Sequence, residues 1–238
     1  MEESIRLNKF LAEQLGISRR QADDLIASGK ITIDQKPAIL GARIDKNTDV
    51  CYNGKIVPFL TSYTYIGMNK PVGYVCSRKQ QGDFPTIYSL LPEKYRHLKT
   101  VGRLDRDSSG LILLTNDGDF AFQMTHPKFQ KTKLYEVKLD RALEPLHQQM
   151  ISEFGIQIGD GISKMSLVKL NDDRKSWQVA LHEGRNRQIR RTFGALGYTV
   201  EKLHRTKFGP YQLNNLQPGN ITEIANVITT NNTKTTKD

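Results

Sequence analysis

Apolar residues recur at helical spacing in only a few stretches of the chain. Leu7, Phe10, Leu11 and Leu15 share one face, with Arg6, Lys9 and Glu13 on others, so residues 5 to 15 read as a short amphipathic helix ended by Gly16. Ala22, Leu25 and Ile26 give a second apolar side behind Ser18-Arg19-Arg20-Gln21, which has the S-x-x-Q form of a capping box, and Gly29 closes that helix. From Lys30 the period changes to two. Lys30-Ile31-Thr32-Ile33-Asp34 alternates as a strand, Gln35-Lys36-Pro37 reads as a turn, and residues 50 to 57 carry Asn53-Gly54, the sequence of a type I′ hairpin. Residues 1 to 59 are therefore expected to form a compact two-helix unit closed by short strands.

Beyond a short connection, strand signals dominate. Residues 63 to 68, 111 to 114, 165 to 170, 176 to 181 and 198 to 205 read as strands, and in 133 to 139 Tyr135, Val137 and Leu139 fall on one face. Helical signals are fewer: short pieces over 86 to 91 and 92 to 97, residues 119 to 125 before Pro127, a segment marked by Leu146, Met150 and Ile151, and a helix capped by Asn186 with Ile189, Phe193 and Leu196 inward. Separated strands, hairpins and few helices predict an α+β domain over residues 63 to 228, built on a mixed, mostly antiparallel sheet. Residues 229 to 238 hold no apolar side chain and read as a disordered polar tail. No internal repeat is visible.

Composition narrows the partners. The 238 residues leave room for one substantial core and a small second one, and 35 Lys and Arg against 25 Asp and Glu give a net charge of +10, which favours a polyanion such as a nucleic acid. Cys51 and Cys76 are the only cysteines, and the five histidines do not fall at ligand spacing with them, so neither a disulfide framework nor a zinc site is expected. No stretch approaches the ~18 apolar residues of a membrane span. A soluble, cytoplasmic protein with no membrane partner is the expectation.

The densest chemistry lies in Gly102-Arg103-Leu104-Asp105-Arg106-Asp107-Ser108-Ser109-Gly110, set against the apolar run 111 to 114 and the turn Asn116-Asp117-Gly118. Asp105 could serve there as nucleophile, general base, metal ligand or loop cap. Arg103 and Arg106 flank it. Arg187, Arg190 and Arg191 crowd one helical face and need an anion opposite, and a pair between Arg190 and Asp105 would keep the carboxylate ionised. Asp105-x-Asp107-x-Ser109 superficially resembles the D-x-D-x-[TV] loop of haloacid-dehalogenase-type phosphatases. There, however, an apolar parallel strand precedes the aspartates, whereas here the apolar run follows them, so the magnesium-dependent reading is the weaker.

Two longer patterns go further. The run R-L-N-K-F-L-A-x-x-x-G-I-S-R-R-Q-A-x-x-L-I-x-x-G-K-I-T-I-D, from Arg6, resembles the small RNA-binding domain named after ribosomal protein S4. G-R-L-D-x-x-[ST]-x-G-L-x-L-L-T-x-D-G, preceded by N-K-P-x-G and followed by K-x-Y-x-V and E-G-R-N-R-Q-I-R-R-x-F, resembles the pseudouridine synthases of the small-subunit rRNA type. The resemblance implies a pseudouridine synthase that acts on a uridine in ribosomal RNA without metal or cofactor. By it, Asp105 is the catalytic aspartate that breaks the C1′–N1 bond, Tyr135 stacks on the base, Arg190 pairs with Asp105, Leu203 walls the uracil pocket, and Arg103 enters the space left by the flipped base. Lys70, Arg187, Arg191 and Arg205 would contact phosphates. Arg6, Lys9, Ser18, Arg19, Arg20 and Lys30 of the head would bind RNA, free or in a ribosome-assembly intermediate, with the protein acting as a monomer. The rival is an S4-type RNA-binding or assembly factor without catalysis. Residues 69 to 77 lean toward the small-subunit members and residues 184 to 187 toward the large-subunit members, which leaves the target RNA open.

Overall fold

A computed structural model describes residues 4 to 59 and 62 to 228; the expected polar tail at 229 to 238 lies outside the described residues. The chain divides into two compact units, the first running to Thr64 and taking in Asn116–Gly118, the second formed by Tyr65–Thr115 and the chain from Asp119 onward.

In the first unit a short strand β1 (Ile5–Arg6) leads directly into α1 (Leu7–Gln14), and α2 (Arg19–Ala27) follows. The first helix is shorter than its apolar spacing predicts, because Ile5 and Arg6 pair with Ile44 and Arg43 instead of joining it. Ser18 closes the predicted capping box: its hydroxyl accepts from the Gln21 N–H at 3.1 Å, and its own N–H donates to the Gln21 side chain at 2.9 Å. Strands β2 (Ile31–Ile33), β3 (Lys36–Pro37), β4 (Arg43–Ile44), β5 (Val50–Tyr52) and β6 (Lys55–Ile56) complete the unit. The turn expected at 35 to 37 sits one step earlier. Asp34 and Gln35 both take positive φ, which frees Lys36 and Pro37 to pair with β2. Asn53 and Gly54 form the predicted hairpin, with φ of +48° and +76°. Leu7, Phe10, Leu11, Ala22, Ile26 and Ile31 pack the small core.

The second unit is organised on one sheet, of nine strands among the described residues. These are β7 (Tyr65–Lys70), β8 (Lys99–Val101), β9 (Ser109–Thr115), β10 (Lys133–Leu139), β13 (Ser166–Lys169), β14 (Ser176–Leu181), β15 (Val200–Phe208), β16 (Tyr211–Gln212) and β17 (Ile221–Glu223); β11 (Ile156–Ile158) and β12 (Gly161–Ser163) make a separate hairpin. The order is β13-β14-β10-β15-β9-β7-β17, with β8 beside β9 and β16 beside β15. All these pairs are antiparallel except β9 with β15. The fold is thus α+β with a mixed, mostly antiparallel sheet. The strand before the Asp105 loop, β8, runs antiparallel to β9, which is not the arrangement a D-x-D phosphatase loop requires.

Strand β9 explains its own unbroken apolar run. Ile112 and Leu114 join the larger core with Ile66, Met68, Val137 and Trp177, while Leu111 and Leu113 point into a second cluster with Phe120, Met124 and Phe208. A strand buried on both faces has no position left for a polar alternate. Helix α3 (Gly118–Thr125) covers the second cluster through Phe120 and Met124. Helix α4 (Pro145–Gln149) widens into one π-turn over Met150–Phe154, and α5 (Gln188–Ala195) packs Ile189 and Phe193 into the larger core.

Candidate active site

Residues 102 to 108 form the loop between β8 and β9, and the sheet pins both of its ends. Val101 pairs with Leu113, and Ser109 and Gly110 pair in parallel with His204 and Arg205. Gly110 sits at φ +106°, where a Cβ would fall 2.3 Å from the Arg205 carbonyl oxygen and 2.5 Å from its nitrogen. Only glycine lets the two backbones meet. Inside the loop the Ser108 N–H donates to the Asp105 carbonyl at 3.1 Å, and the Gly73 N–H donates to the Arg106 carbonyl at 2.8 Å.

Lys70 lies beneath this turn, and its position corrects the phosphate contact expected of it. The side chain is fully buried, and its Nζ donates to the carbonyls of Ser108 at 2.6 Å and Pro71 at 3.0 Å. Burial pulls its pKa below the ordinary lysine value, against Cys76, Asp107 and Asp105. Proline and glycine at 71 and 73 bend the chain so that this amine faces inward, where backbone carbonyls replace water. Lys70 shapes the loop rather than meeting the ligand.

The arginines also sort differently from the sequence expectation. Arg190 pairs with Asp107, not Asp105: its Nε lies 3.2 Å from Asp107 Oδ2, its Nη2 donates to the Asp107 carbonyl at 2.8 Å, and its Nη1 donates to the Val200 carbonyl at 2.7 Å. Arg187 clamps the same carboxylate through two hydrogen bonds of 3.1 and 3.0 Å, and its Nη1 stands 3.7 Å from Asp105 Oδ2. The physical reason lies in two turns. The Ser108-to-Asp105 hydrogen bond carries Asp107 toward α5, and α5 starts later than expected, with Arg187 itself at φ +48° in place of an Asn186 cap. Burial would raise the pKa of Asp107, but the Arg187 hydrogen bonds and the Arg190 charge hold it below the ordinary carboxylate value. Arg191 is engaged elsewhere, donating to Asp160 Oδ2 at 2.8 Å beside the β11–β12 hairpin.

This pairing leaves Asp105 on the wall of a cleft of about 430 Å³, its side chain 36% exposed. Tyr135 and Lys133 enter the cleft from β10, Leu203 and Arg205 from β15, and Ile189 from α5, while the exposed Arg103 stands at the loop. Tyr135 and Lys133 share a strand face, two residues apart. The sequence therefore places Asp105, Tyr135, Leu203 and Arg103 in one cleft, while Arg190 backs it through Asp107. Arg205 is not a surface cation for phosphate. It is 2% exposed, its Nε donates to the Leu111 carbonyl at 2.8 Å, and its Nη2 has no hydrogen-bond partner among the described residues.

Lys133 is the cleft residue that sequence reasoning missed, although its signal was in view as the first letter of K-x-Y-x-V. Its amine lies 3.2 Å from the Glu183 carbonyl and 5.4 Å from the centre of the Phe208 ring, which the Arg205 guanidinium also approaches at 4.7 Å. Burial lowers its pKa to about 8, the Arg205 charge adds to that shift, and Glu183 opposes it. A lysine on the same inward register as Tyr135, Val137 and Leu139 was the clue. In the first unit Arg6, Arg19, Arg20 and Lys30 are exposed, Lys9 is half-buried and Ser18 caps α2.

Known proteins resemble this chain over most of its length. The family model described as RNA pseudouridylate synthase matches residues 64–195, and that of the S4 domain matches residues 5–50. The "Ribosomal small subunit pseudouridine synthase A" of Pasteurella multocida (strain Pm70) is 35% identical, over 88% of this chain and 90% of its own. The "Ribosomal large subunit pseudouridine synthase B" of Bacillus subtilis (strain 168) is 32% identical, over 92% and 91%. A solved structure described as a pseudouridylate synthase covers 93% of this chain and 96% of its own, with a TM-score of 0.66 at 31% identity. With an S4 domain at its head and a matching catalytic body, the chain belongs to the RNA pseudouridylate synthase family, whose enzymes are isomerases.

Proposed function

We propose that this chain converts a uridine of ribosomal RNA to pseudouridine, with Asp105 as the nucleophile on a flipped-out base. The observation that carries the reading is the shared cleft: a solvent-reachable carboxylate faces an aromatic ring, an apolar wall and two buried cations. Arg187 hydrogen-bonds the Asp107 carboxylate and Arg190 ion-pairs with it, which leaves Asp105 a longer ion pair of 3.7 Å to Arg187. The relatives named for small- and large-subunit rRNA support that class of substrate.

The residues fit the chemistry. An Asp105 oxygen bonds to C1′ as N1 leaves with the bonding pair, so uracil departs as an anion. Lys133 and Arg205 face that charge at the base end of the cleft, where low dielectric strengthens their attraction. Tyr135 stacks on the detached base and Leu203 limits its movement while it turns. C5 then attacks C1′, the carboxylate leaves, the C5 proton is lost and N1 takes one up, so the product is an isomer of the substrate. Arg103, exposed beside the nucleophile, fills the stack that the target nucleotide vacates. The cations of the S4 head hold an RNA stem through its phosphates.

Mapping pseudouridines in both rRNAs of cells with and without this protein identifies the target. Asp105→Ala and Asp105→Asn should abolish the modification and leave RNA binding within a few fold. Residual turnover by either variant would remove the aspartate from the central role. RNA binding with no pseudouridine made by the unmodified protein would favour the assembly-factor reading.

A further inference from the structure

The Asp105 loop lines two hollows. Beside the catalytic cleft lies a second, polar hollow of about 440 Å³, lined by Arg106, Ser77, Gln81 and Asn186 among others. Arg103, Leu104, Asp105, Asn186 and Arg187 line both hollows, so the two adjoin. Consecutive nucleotides are covalently joined. An RNA strand that delivers one nucleotide to the catalytic cleft brings a neighbouring nucleotide within reach of the adjoining hollow.

The second hollow is equipped for that neighbour. The Arg106 guanidinium is seated on the Phe84 ring, 3.8 Å from its centre, which fixes the plane it offers to a base. Phe84 is 44% exposed and sits at the end of a turn closed by a bridge to Gln81, with Gly82 at φ +60°. Arg78 ties the same segment to the carbonyls of His97 and Leu98 and lies over the Tyr88 ring. Gln81 and Asn186 bring amide donors and acceptors, the groups that read base edges on unpaired RNA. The loop of residues 78 to 85, which opens on Arg78 and Lys79, has no part in the proposed chemistry of Asp105.

We propose that the hollow holds the nucleotide next to the target uridine, its base stacked on the Arg106–Phe84 pair, and so contributes to the choice of uridine. The proposal rests on the rRNA reading above. Its test uses transcribed rRNA fragments spanning the mapped uridine, intact or with an abasic residue at the 5′ or 3′ neighbour. With the unmodified protein, kcat/KM should fall about tenfold for one of the two abasic positions, the size of a lost stacking contact. With Phe84→Ala, the intact fragment should drop to that same level and the abasic penalty should shrink below about twofold; Phe84→Tyr should restore both. Pseudouridine formation with an equal penalty in Phe84→Ala, or with none at either neighbour, would overturn the subsite while leaving the isomerase reading intact. Absence of any pseudouridine in either rRNA would remove both.

Discussion

The charge on Lys133 gives the most searching test of the cleft. Its pKa is lowered from 10.5 to about 8 because burial takes the amine out of water and Arg205 raises the cost of a second cation. A group that titrates near 8 goes from about nine-tenths charged at pH 7 to about one-tenth at pH 9. If that charge faces the departing uracil, kcat/KM should fall about tenfold across the interval, and kcat/KM is the quantity to follow because it reports the free enzyme. Loss of the C5 hydrogen provides the assay, as tritium released from C5-tritiated uridine in rRNA. Lys133→Arg keeps a cation at every pH and should abolish the alkaline fall. Lys133→Met should be slower at pH 7 by about 100-fold, as for loss of one charge-stabilising donor, and flat to pH 9. Stability moves the other way. The unfolded chain binds a proton at this lysine up to about pH 10.5, the folded chain only up to about 8, so between these values the group makes folding more favourable as pH rises. This lysine's titration therefore does not favour unfolding as the rate falls. Activity that stays level from pH 7 to pH 9, or a fall that survives in Lys133→Arg, would refute the assignment.

Three further substitutions probe how the loop and the head are held. Gly110→Ala drives a Cβ to 2.3 Å from the Arg205 carbonyl and should cost about 3 kcal/mol or more, read as a Tm fall of roughly 10 °C in the catalytic unit; a Tm within two degrees of the parent would contradict the close approach. Asp107→Asn removes the counter-charge of the half-buried Arg190 and should cost about 2 kcal/mol near neutral pH, with slower turnover as the Asp105 turn loosens. The lowered pKa of Asp107 means its contribution is present above the ordinary carboxylate value of 3.8 and lost as pH falls through the lower folded value, so denaturant curves of parent and variant should converge in acid. Ser18→Ala breaks the capping box and should weaken α2 by about 1 kcal/mol, seen as faster amide exchange in α2 with unchanged exchange in the sheet.

Much of this molecule is legible in local sequence because local forces decide it. The capping box at Ser18, the Asn53-Gly54 turn and the alternation of Tyr135, Val137 and Leu139 are each set within a few residues, and the structure has them. What the sequence conceals depends on distant partners. Nothing near Ile5 announces that β1 will pair with Arg43–Ile44, and nothing near Lys70 shows that its amine will meet a carbonyl 38 positions away. The Asp105 neighbourhood combines both cases: the loop is recognisable from its motif, but the partners of its two carboxylates are fixed by turns at Ser108 and Arg187 that the motif does not describe.

Those turns change what the second aspartate does. As a loop-shaping residue alone, Asp107 would leave three arginines of residues 187 to 191 seeking the Asp105 carboxylate. Paired as it is, Asp107 takes the bidentate clamp of Arg187 and the ion pair of Arg190, and Asp160 takes Arg191. The nearest arginine atom to the Asp105 carboxylate in an ion pair stands 3.7 Å away, too long for a hydrogen bond. A carboxylate tightly hydrogen-bonded to a guanidinium holds its charge but gives up nucleophilic lone pairs to the donors. Asp107 absorbs those donors, so the Asp105 oxygens stay open, as the proposed attack on C1′ requires. Asp107→Asn therefore tests more than the fold: if Arg187 turns to Asp105 in that variant, turnover should fall even under conditions where the protein remains fully folded.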